Sequence, residues 1–137
     1  MNMRFFAPAL AALAFSIPAA AQDAPAGEMT EGEERLAKML EGREAGEPQK
    51  CIRAFPVRDF TIIEGTALVY ESGTTLYVNY TRDPELLDED DALVVRRTGA
   101  NFCNTDIVTT QDRFGNFYTG NIFLGDFIPY KRTDLGG

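Results

Sequence analysis

Residues 57–80 read VRDFTIIEGTALVYESGTTLYVNY, and this stretch decides the expected fold. It contains three runs rich in β-branched and aromatic residues, at 57–63, 66–71 and 75–80. Gly65 and Gly73 interrupt the runs, and glycines at such short intervals mark the tight turns of β-hairpins. The stretch therefore predicts three antiparallel strands joined by two hairpins.

Short runs of the same kind continue towards the C-terminus. They lie at 92–97, 106–110, 117–119 and 123–130, with a turn around 113–116. Many short strands with polar turns between them are typical of antiparallel sandwiches and small barrels. We therefore predict an all-β domain over residues 51–132, a small antiparallel sandwich or barrel with one short N-terminal helix.

The helix is predicted from its N-terminal cap. Thr30 and Glu33 have the spacing of a capping box, in which each side chain accepts a hydrogen bond from the other residue's backbone amide. Apolar residues then follow at helical spacing, and they are Leu36, Met39 and Leu40. We expect a helix over about 31–42 within a flexible leader, residues 22–50, whose last part from residue 42 is a polar linker.

The first 21 residues have the three parts of a secretory signal peptide. One positive charge precedes an apolar stretch at 5–17, and Ala19-Ala20-Ala21 fits the small residues required before a cleavage site. The alternative is a retained anchor, but a spanning helix needs about 20 apolar residues, and this run is shorter and contains Pro8. We expect cleavage before Gln22, a periplasmic or secreted location, and no stable membrane insertion afterwards.

The chain is acidic and lacks the residues of the commonest catalytic sites. Without residues 1–21 it has 12 Lys and Arg against 21 Asp and Glu, a net charge of −9. A field of this sign repels phosphate backbones, so no nucleic-acid partner is expected. The chain has no His, and Ser72 is its one Ser after residue 21, which excludes Ser-His-Asp and Cys-His pairs and histidine metal sites.

The densest acidic cluster lies at 83–91 and offers Asp88, Asp90 and Asp91 as candidate calcium ligands. Leu93 stands where the loop of an EF-hand needs glycine. A solvated loop is therefore the favoured interpretation, and no metal and no cofactor are predicted.

Paired carboxylates can cleave glycosidic bonds, and among 21 acidic residues some pair will lie close together. Four of them lie near strand ends, where acids usually cap turns, and they are Asp59, Asp106, Asp112 and Asp126. Because composition does not select a pair, a carboxylate-dependent hydrolase is kept as an alternative and no catalytic residue is predicted.

Aromatic residues crowd the C-terminal part of the chain. They are Phe114, Phe117, Tyr118, Phe123, Phe127 and Tyr130. Such residues either line an apolar ligand pocket or form an ordinary core. Core is the favoured interpretation.

The two cysteines, Cys51 and Cys103, do not form a C-x-x-C motif. In an oxidising compartment an even pair usually forms a structural disulfide. The alternative, a reactive thiol, needs a positive neighbour or a histidine. Arg53 lies near Cys51, but the chain has no histidine to act as a base. We therefore predict a bond between Cys51 and Cys103.

Four short segments stand out between Lys50 and Tyr130. They are Cys51-Ile52, Tyr77-Val78-Asn79-Tyr80, Cys103-Asn104-Thr105-Asp106 and Leu124-Gly125-Asp126-Phe127-Ile128-Pro129-Tyr130. This part of the chain resembles a family of small exported bacterial proteins of unknown function. Many members carry two more cysteines, at places near Asp83 and Ile122 where this chain has none. The resemblance implies an exported protein and implies no activity, ligand or catalytic residue.

The sequence favours a non-catalytic periplasmic binding or interaction module, with an envelope protein or a small ligand as its partner. The alternatives are a small carboxylate-dependent hydrolase and an envelope accessory or inhibitor protein whose acidic surface binds a basic partner. A hydrolase needs two acids that converge in a cleft, and a ligand carrier needs an apolar cavity. An interaction module needs an exposed apolar patch or a free strand edge.

Overall fold

The computed structural model describes residues 27–53, 60–97 and 99–133. The described residues form one α-helix, one short 3-10 helix (Pro84–Leu86) and ten strands, and every strand pair is antiparallel. The elements are α1 (Glu31–Met39), β1 (Arg43–Ala45), β2 (Cys51–Arg53), β3 (Phe60–Ile63), β4 (Ala67–Ser72), β5 (Thr75–Asn79), β6 (Asp91–Arg96), β7 (Asn101–Cys103), β8 (Ile107–Asp112), β9 (Tyr118–Ile122) and β10 (Phe127–Arg132). The predicted all-β class with one short N-terminal helix is confirmed.

The strands form three sheets. The largest has the order β1-β10-β5-β4-β3, a second has the order β6-β8-β9, and β2 pairs with β7. The two hairpins predicted within 57–80 are present as β3–β4 and β4–β5, although residues 57–59 lie outside the described part. Gly65 and Gly73 lie in their turns at φ values of 60°, a left-handed conformation in which a Cβ atom is unfavourable.

The five-stranded sheet is buried on both faces. One face packs against α1 and contributes the alternate residues Ile63, Ala67, Val69, Leu76 and Val78. The other face packs against the two smaller sheets, and this cluster contains Leu68 and Tyr70 of β4 together with Val108, Ile122, Ile52 and Phe102. Because both faces are covered, β4 is buried at four consecutive positions, 67–70, where a half-exposed strand would alternate.

The helix forms where its cap predicts, but it ends earlier than expected. The Thr30 hydroxyl accepts a hydrogen bond from the Glu33 amide at 3.2 Å, and the Glu33 carboxylate accepts one from the Thr30 amide at 2.8 Å. Leu36 is buried against the five-stranded sheet. The helix ends at Met39 and the chain turns at Gly42, whose φ is 69°. None of the described helices has the length and apolarity to cross a membrane.

Several segments differ from the sequence-based expectation, and no strand was expected over Asn101–Cys103, which forms β7. The polar linker at 42–50 contains β1, because Arg43–Ala45 pairs with the edge of β10, and edge pairing needs only backbone groups. The strand expected over 123–130 begins at Phe127. Before it, the Gly125 amide and carbonyl bond to the Asn79 side chain and not to a strand.

Candidate functional site

Four of the six C-terminal aromatic residues lie on the surface, so their assignment to the core is wrong. The exposed fractions of Phe114, Phe117, Tyr118 and Phe123 are 88%, 59%, 59% and 52%. Phe127 alone is fully buried, and Tyr130 packs beneath the helix as a half-buried residue. Large apolar side chains exposed close together mark interaction sites more often than scattered single ones.

The turn between β8 and β9 holds Phe114 and Phe117 in place. The Asp112 carboxylate accepts hydrogen bonds from the amides of Phe114, at 2.9 Å, and Gly115. The Asp112 amide donates to the carbonyl of Phe117 at 3.0 Å. A Cβ atom on Gly115 would lie 2.5 Å from the Phe117 ring, so glycine lets this ring lie over the turn. The turn therefore presents its aromatic rings from an ordered backbone.

A β-bulge turns Tyr118 towards solvent. Gly120 pairs with Thr110 and Tyr118 pairs with Gln111, so β9 has one extra residue at this point. Thr110 is buried, and since successive side chains alternate between faces, Gln111 and its partner Tyr118 lie on the outer face. Without the extra residue, Tyr118 would share the inner face with the buried Ile122.

The opposite end of the same outer face carries an apolar recess. Its volume is about 420 Å³, and its walls include Ile107, Ile122, Phe123 and Leu124. Ile107 is 60% exposed and Phe123 is 52% exposed. The guanidinium carbon of Arg82 lies 5.4 Å from the centre of the Phe123 ring, which places the cation over the ring face.

We call the five exposed apolar residues of this hairpin and its neighbourhood the aromatic face: Ile107, Phe114, Phe117, Tyr118 and Phe123. Between its two ends, the pair Thr109 and Asn121 gives the sheet surface polar side chains. Apolar anchors separated by groups that can form hydrogen bonds are the usual composition of a protein interface.

The carboxylates predicted at strand ends serve as turn caps and internal acceptors. Asp106 accepts a hydrogen bond from the Cys103 amide at 2.7 Å, and Asp126 accepts one from the Asn104 side chain at 2.8 Å. Asp112 caps its own turn. Asp59 lies outside the described residues.

One pair of carboxylates is brought together by the sheet register. Asp91 on β6 lies opposite Asp112 on β8. Asp91 is buried, and its Oδ2 accepts a hydrogen bond from the Thr119 hydroxyl at 2.7 Å. Neither acid lines the recess beside Phe123. The two carboxylates therefore have a structural role at the ends of these strands.

The three candidate calcium ligands do not converge. Asp88 Oδ1 accepts a hydrogen bond from the Asp90 amide at 2.9 Å, as in a local turn. Asp91 points instead towards Thr119, inside the sheet. Among the residues that the structure describes, no group of three or more acids or cysteines could hold a metal ion.

Millimolar calcium is therefore expected to leave the melting temperature unchanged. A ligand present at 100 times its dissociation constant adds about 2.7 kcal/mol, which thermal unfolding would detect. Magnesium at the same concentration is the control for ionic strength. A rise of several degrees with calcium and none with magnesium would show that these acids bind the ion.

The motifs that carry the family resemblance build the framework beneath the aromatic face. Cys51 and Cys103 are register partners in β2 and β7, and their sulphur atoms lie at bonding distance, 2.07 Å. Asn79 binds Gly125 through both backbone groups, and Asn104 binds Asp126. These motifs therefore have structural roles, and Phe114, Phe117, Tyr118 and Phe123 lie outside them.

No protein-family model, no curated protein and no solved structure matches this chain. The family resemblance stays a prediction, and the function is argued from the geometry of the aromatic face.

Proposed function

We propose that this protein is a non-catalytic binding module of the cell envelope and that it binds its partner through the aromatic face. The observation that carries the proposal is the exposure of Phe114, Phe117 and Tyr118 on one hydrogen-bonded hairpin. Rings held on an ordered turn lose little conformational freedom on binding. Phenylalanine and tyrosine rings also supply much of the buried area at protein interfaces.

The core does not need these side chains. The cluster between the sheets is filled by residues such as Phe102, Phe127 and Ile122, each at most 4% exposed. Exposed rings give little folding free energy, because burial of apolar area is what stabilises the folded state. Their placement is consequently better explained by contact with a partner.

The hydrolase alternative is less well supported. The carboxylates discussed above cap turns, and the register pair Asp91 and Asp112 is engaged by internal hydrogen bonds. Burial raises the pKa of Tyr80, and the neighbouring Tyr130 hydroxyl raises it further. The Tyr80 phenol therefore stays protonated at neutral pH and offers no base there.

Export is the second part of the proposal. Disulfides persist in oxidising compartments, so the Cys51–Cys103 pair agrees with a periplasmic or secreted protein. We expect the exported product to begin at Gln22, because Ala19-Ala20-Ala21 follows an apolar run. The intact mass of protein purified from the periplasm measures this directly. Retention of residues 1–21 on that product would contradict it.

Replacing the hairpin rings is expected to abolish partner binding without unfolding the protein. The variant Phe114→Ser/Phe117→Ser/Tyr118→Ser should keep its stability within about 1 kcal/mol, since surface substitutions rarely cost more. If each of the three rings contributes about tenfold and the effects add as free energies, the affinity falls about 1,000-fold. The measurement is capture of partners from a native envelope extract on immobilised protein, followed by mass spectrometry.

The matched control is Met29→Ser/Leu86→Ser, which removes two apolar side chains that are about half exposed outside the aromatic face. It should capture the same partners as the wild type. Equal capture by the wild type and the triple variant would refute the aromatic face as the binding surface.

A further inference from the structure

Charge is unevenly divided along the chain. Residues 27–91 contain seven Lys or Arg and 16 Asp or Glu, whereas residues 92–133 contain five and three. The acid-rich helix α1 covers one side of the five-stranded sheet, and the three-stranded sheet covers the other side. Lys131 and Arg132 lie on β10 in the five-stranded sheet, and residues 92–123 contain three Lys or Arg and two Asp or Glu. The side that carries the aromatic face is therefore close to neutral, in contrast to the acid-rich side.

Two arginines flank the apolar recess. Arg96 on β6 pairs in register with Ile107 on β8, and Ile107 shares the recess with Phe123, over which Arg82 lies. Arg96, Ile107, Phe123 and Arg82 therefore follow in this order, so that one arginine lies on each side of the two apolar side chains. In the part of the chain that the structure describes, the one ion pair joins Arg35 to Glu89, so neither flanking arginine has a carboxylate partner there.

The one acid that lines the recess is already engaged. Asp106 accepts the 2.7 Å hydrogen bond from the Cys103 amide. The remaining walls include the apolar residues Val108, Ile122 and Leu124 and the polar residues Asn104, Thr105 and Asn121. An apolar side chain would pack against the apolar walls, and the polar walls offer hydrogen-bond partners to the peptide backbone that carries it. The recess can therefore accommodate an apolar amino-acid side chain.

From this arrangement we infer that the partner at the aromatic face is an acidic protein segment. One apolar or aromatic side chain of the segment enters the recess beside Phe123, and flanking carboxylates pair with Arg82 and Arg96. Arginine suits this role because its planar guanidinium group can donate two parallel hydrogen bonds to one carboxylate. The inference rests on the proposed function and specifies the chemistry of its partner.

The acidic partner inferred here differs from the basic partner that the net charge of the whole chain indicates. A net charge of −9 would favour a basic partner, but the acids responsible lie largely in 27–91. Close contact is decided by local charge, since charges further apart than about 8–10 Å are screened at physiological salt. The charges closest to the recess are those of Arg82, Arg96 and the Asp106 carboxylate, so the two arginines outnumber the one acid there.

The test uses defined polymers and the mature full-length chain. A fluorescently labelled random copolymer of glutamate and tyrosine is titrated with the protein in 50 mM salt, and its anisotropy is measured. Polyglutamate lacks the apolar side chain, and a copolymer of lysine and tyrosine reverses the charge. We expect binding of the glutamate–tyrosine copolymer, at least tenfold weaker binding of polyglutamate, and no binding of the lysine–tyrosine copolymer.

The variant Arg82→Gln/Arg96→Gln should bind the glutamate–tyrosine copolymer at least tenfold more weakly than the wild type. Its control is Lys38→Gln/Lys131→Gln, which removes the same charge from exposed positions on α1 and β10 and should change nothing. Thermal unfolding of both variants confirms that they are folded.

Three results would overturn the inference: binding of the lysine–tyrosine copolymer, unchanged binding by the Arg82→Gln/Arg96→Gln variant, or no binding of the acidic copolymer. Tighter, arginine-dependent binding of labelled polygalacturonate would also overturn it and would assign an acidic glycan. If the inference fails while the triple hairpin variant still loses captured partners, the proposed function stands and only the partner's chemistry is wrong.

Discussion

The double variant Cys51→Ser/Cys103→Ser is expected to lose roughly 4 kcal/mol of unfolding free energy. The two residues are separated by 52 positions, and closing a loop of this length removes about that much chain entropy from the unfolded state. The pair also joins β2 to β7, two strands of only three residues each. Equilibrium unfolding in urea measures the loss, which is a large share of the 5–15 kcal/mol typical of a domain.

Reduction supplies the control for this variant. Wild-type protein in dithiothreitol should match the double variant, and dithiothreitol should leave the double variant unchanged. Equal stability of the oxidised wild type and the double variant would contradict the disulfide. So would two thiols that react with a maleimide in denatured, non-reduced protein.

Asn79→Ala is expected to destabilise the protein by about 3 kcal/mol. Asn79 is 1% exposed, and its side chain donates to the Gly125 carbonyl at 2.7 Å and accepts from the Gly125 amide at 2.9 Å. Its removal leaves both half-buried backbone groups of Gly125 without their partner, at about 1–3 kcal/mol for each group. Urea unfolding with the native disulfide intact gives the value.

The matched control is Asn104→Ala, which removes one exposed hydrogen bond, to Asp126. Such a bond contributes about 1 kcal/mol or less. If Asn79→Ala costs no more than Asn104→Ala, the two bonds to Gly125 do not hold the connection between β9 and β10 in the way described.

The sequence predicts the parts of this fold that have local signals. The β3–β4 and β4–β5 hairpins follow from glycines at Gly65 and Gly73, and the helix follows from the Thr30 cap. The strand Arg43–Ala45 has no such signal, because its three residues pair with β10 through backbone groups alone. Likewise, nothing local shows that Asn79 binds Gly125, 46 residues away.

The candidate site was harder to predict, for a related reason. The sequence identifies the aromatic residues but not which of them are exposed. Tyr118 faces solvent only because the bulge opposite Thr110 reverses the alternation along β9. A bulge depends on the pairing of two strands, and single-strand periodicity does not reveal it. The same limit applies to Phe123, which lies beyond the end of β9.

Photo-crosslinking in the envelope of the native host tests the central claim most directly. A benzoyl-phenylalanine residue is placed at Phe117 or Tyr118, and at Met29 or Leu86 as exposed controls. The account predicts a defined protein adduct from positions 117 and 118 and none from positions 29 and 86. No adduct from the hairpin, or the same adduct from all four positions, would contradict the aromatic face as the binding surface.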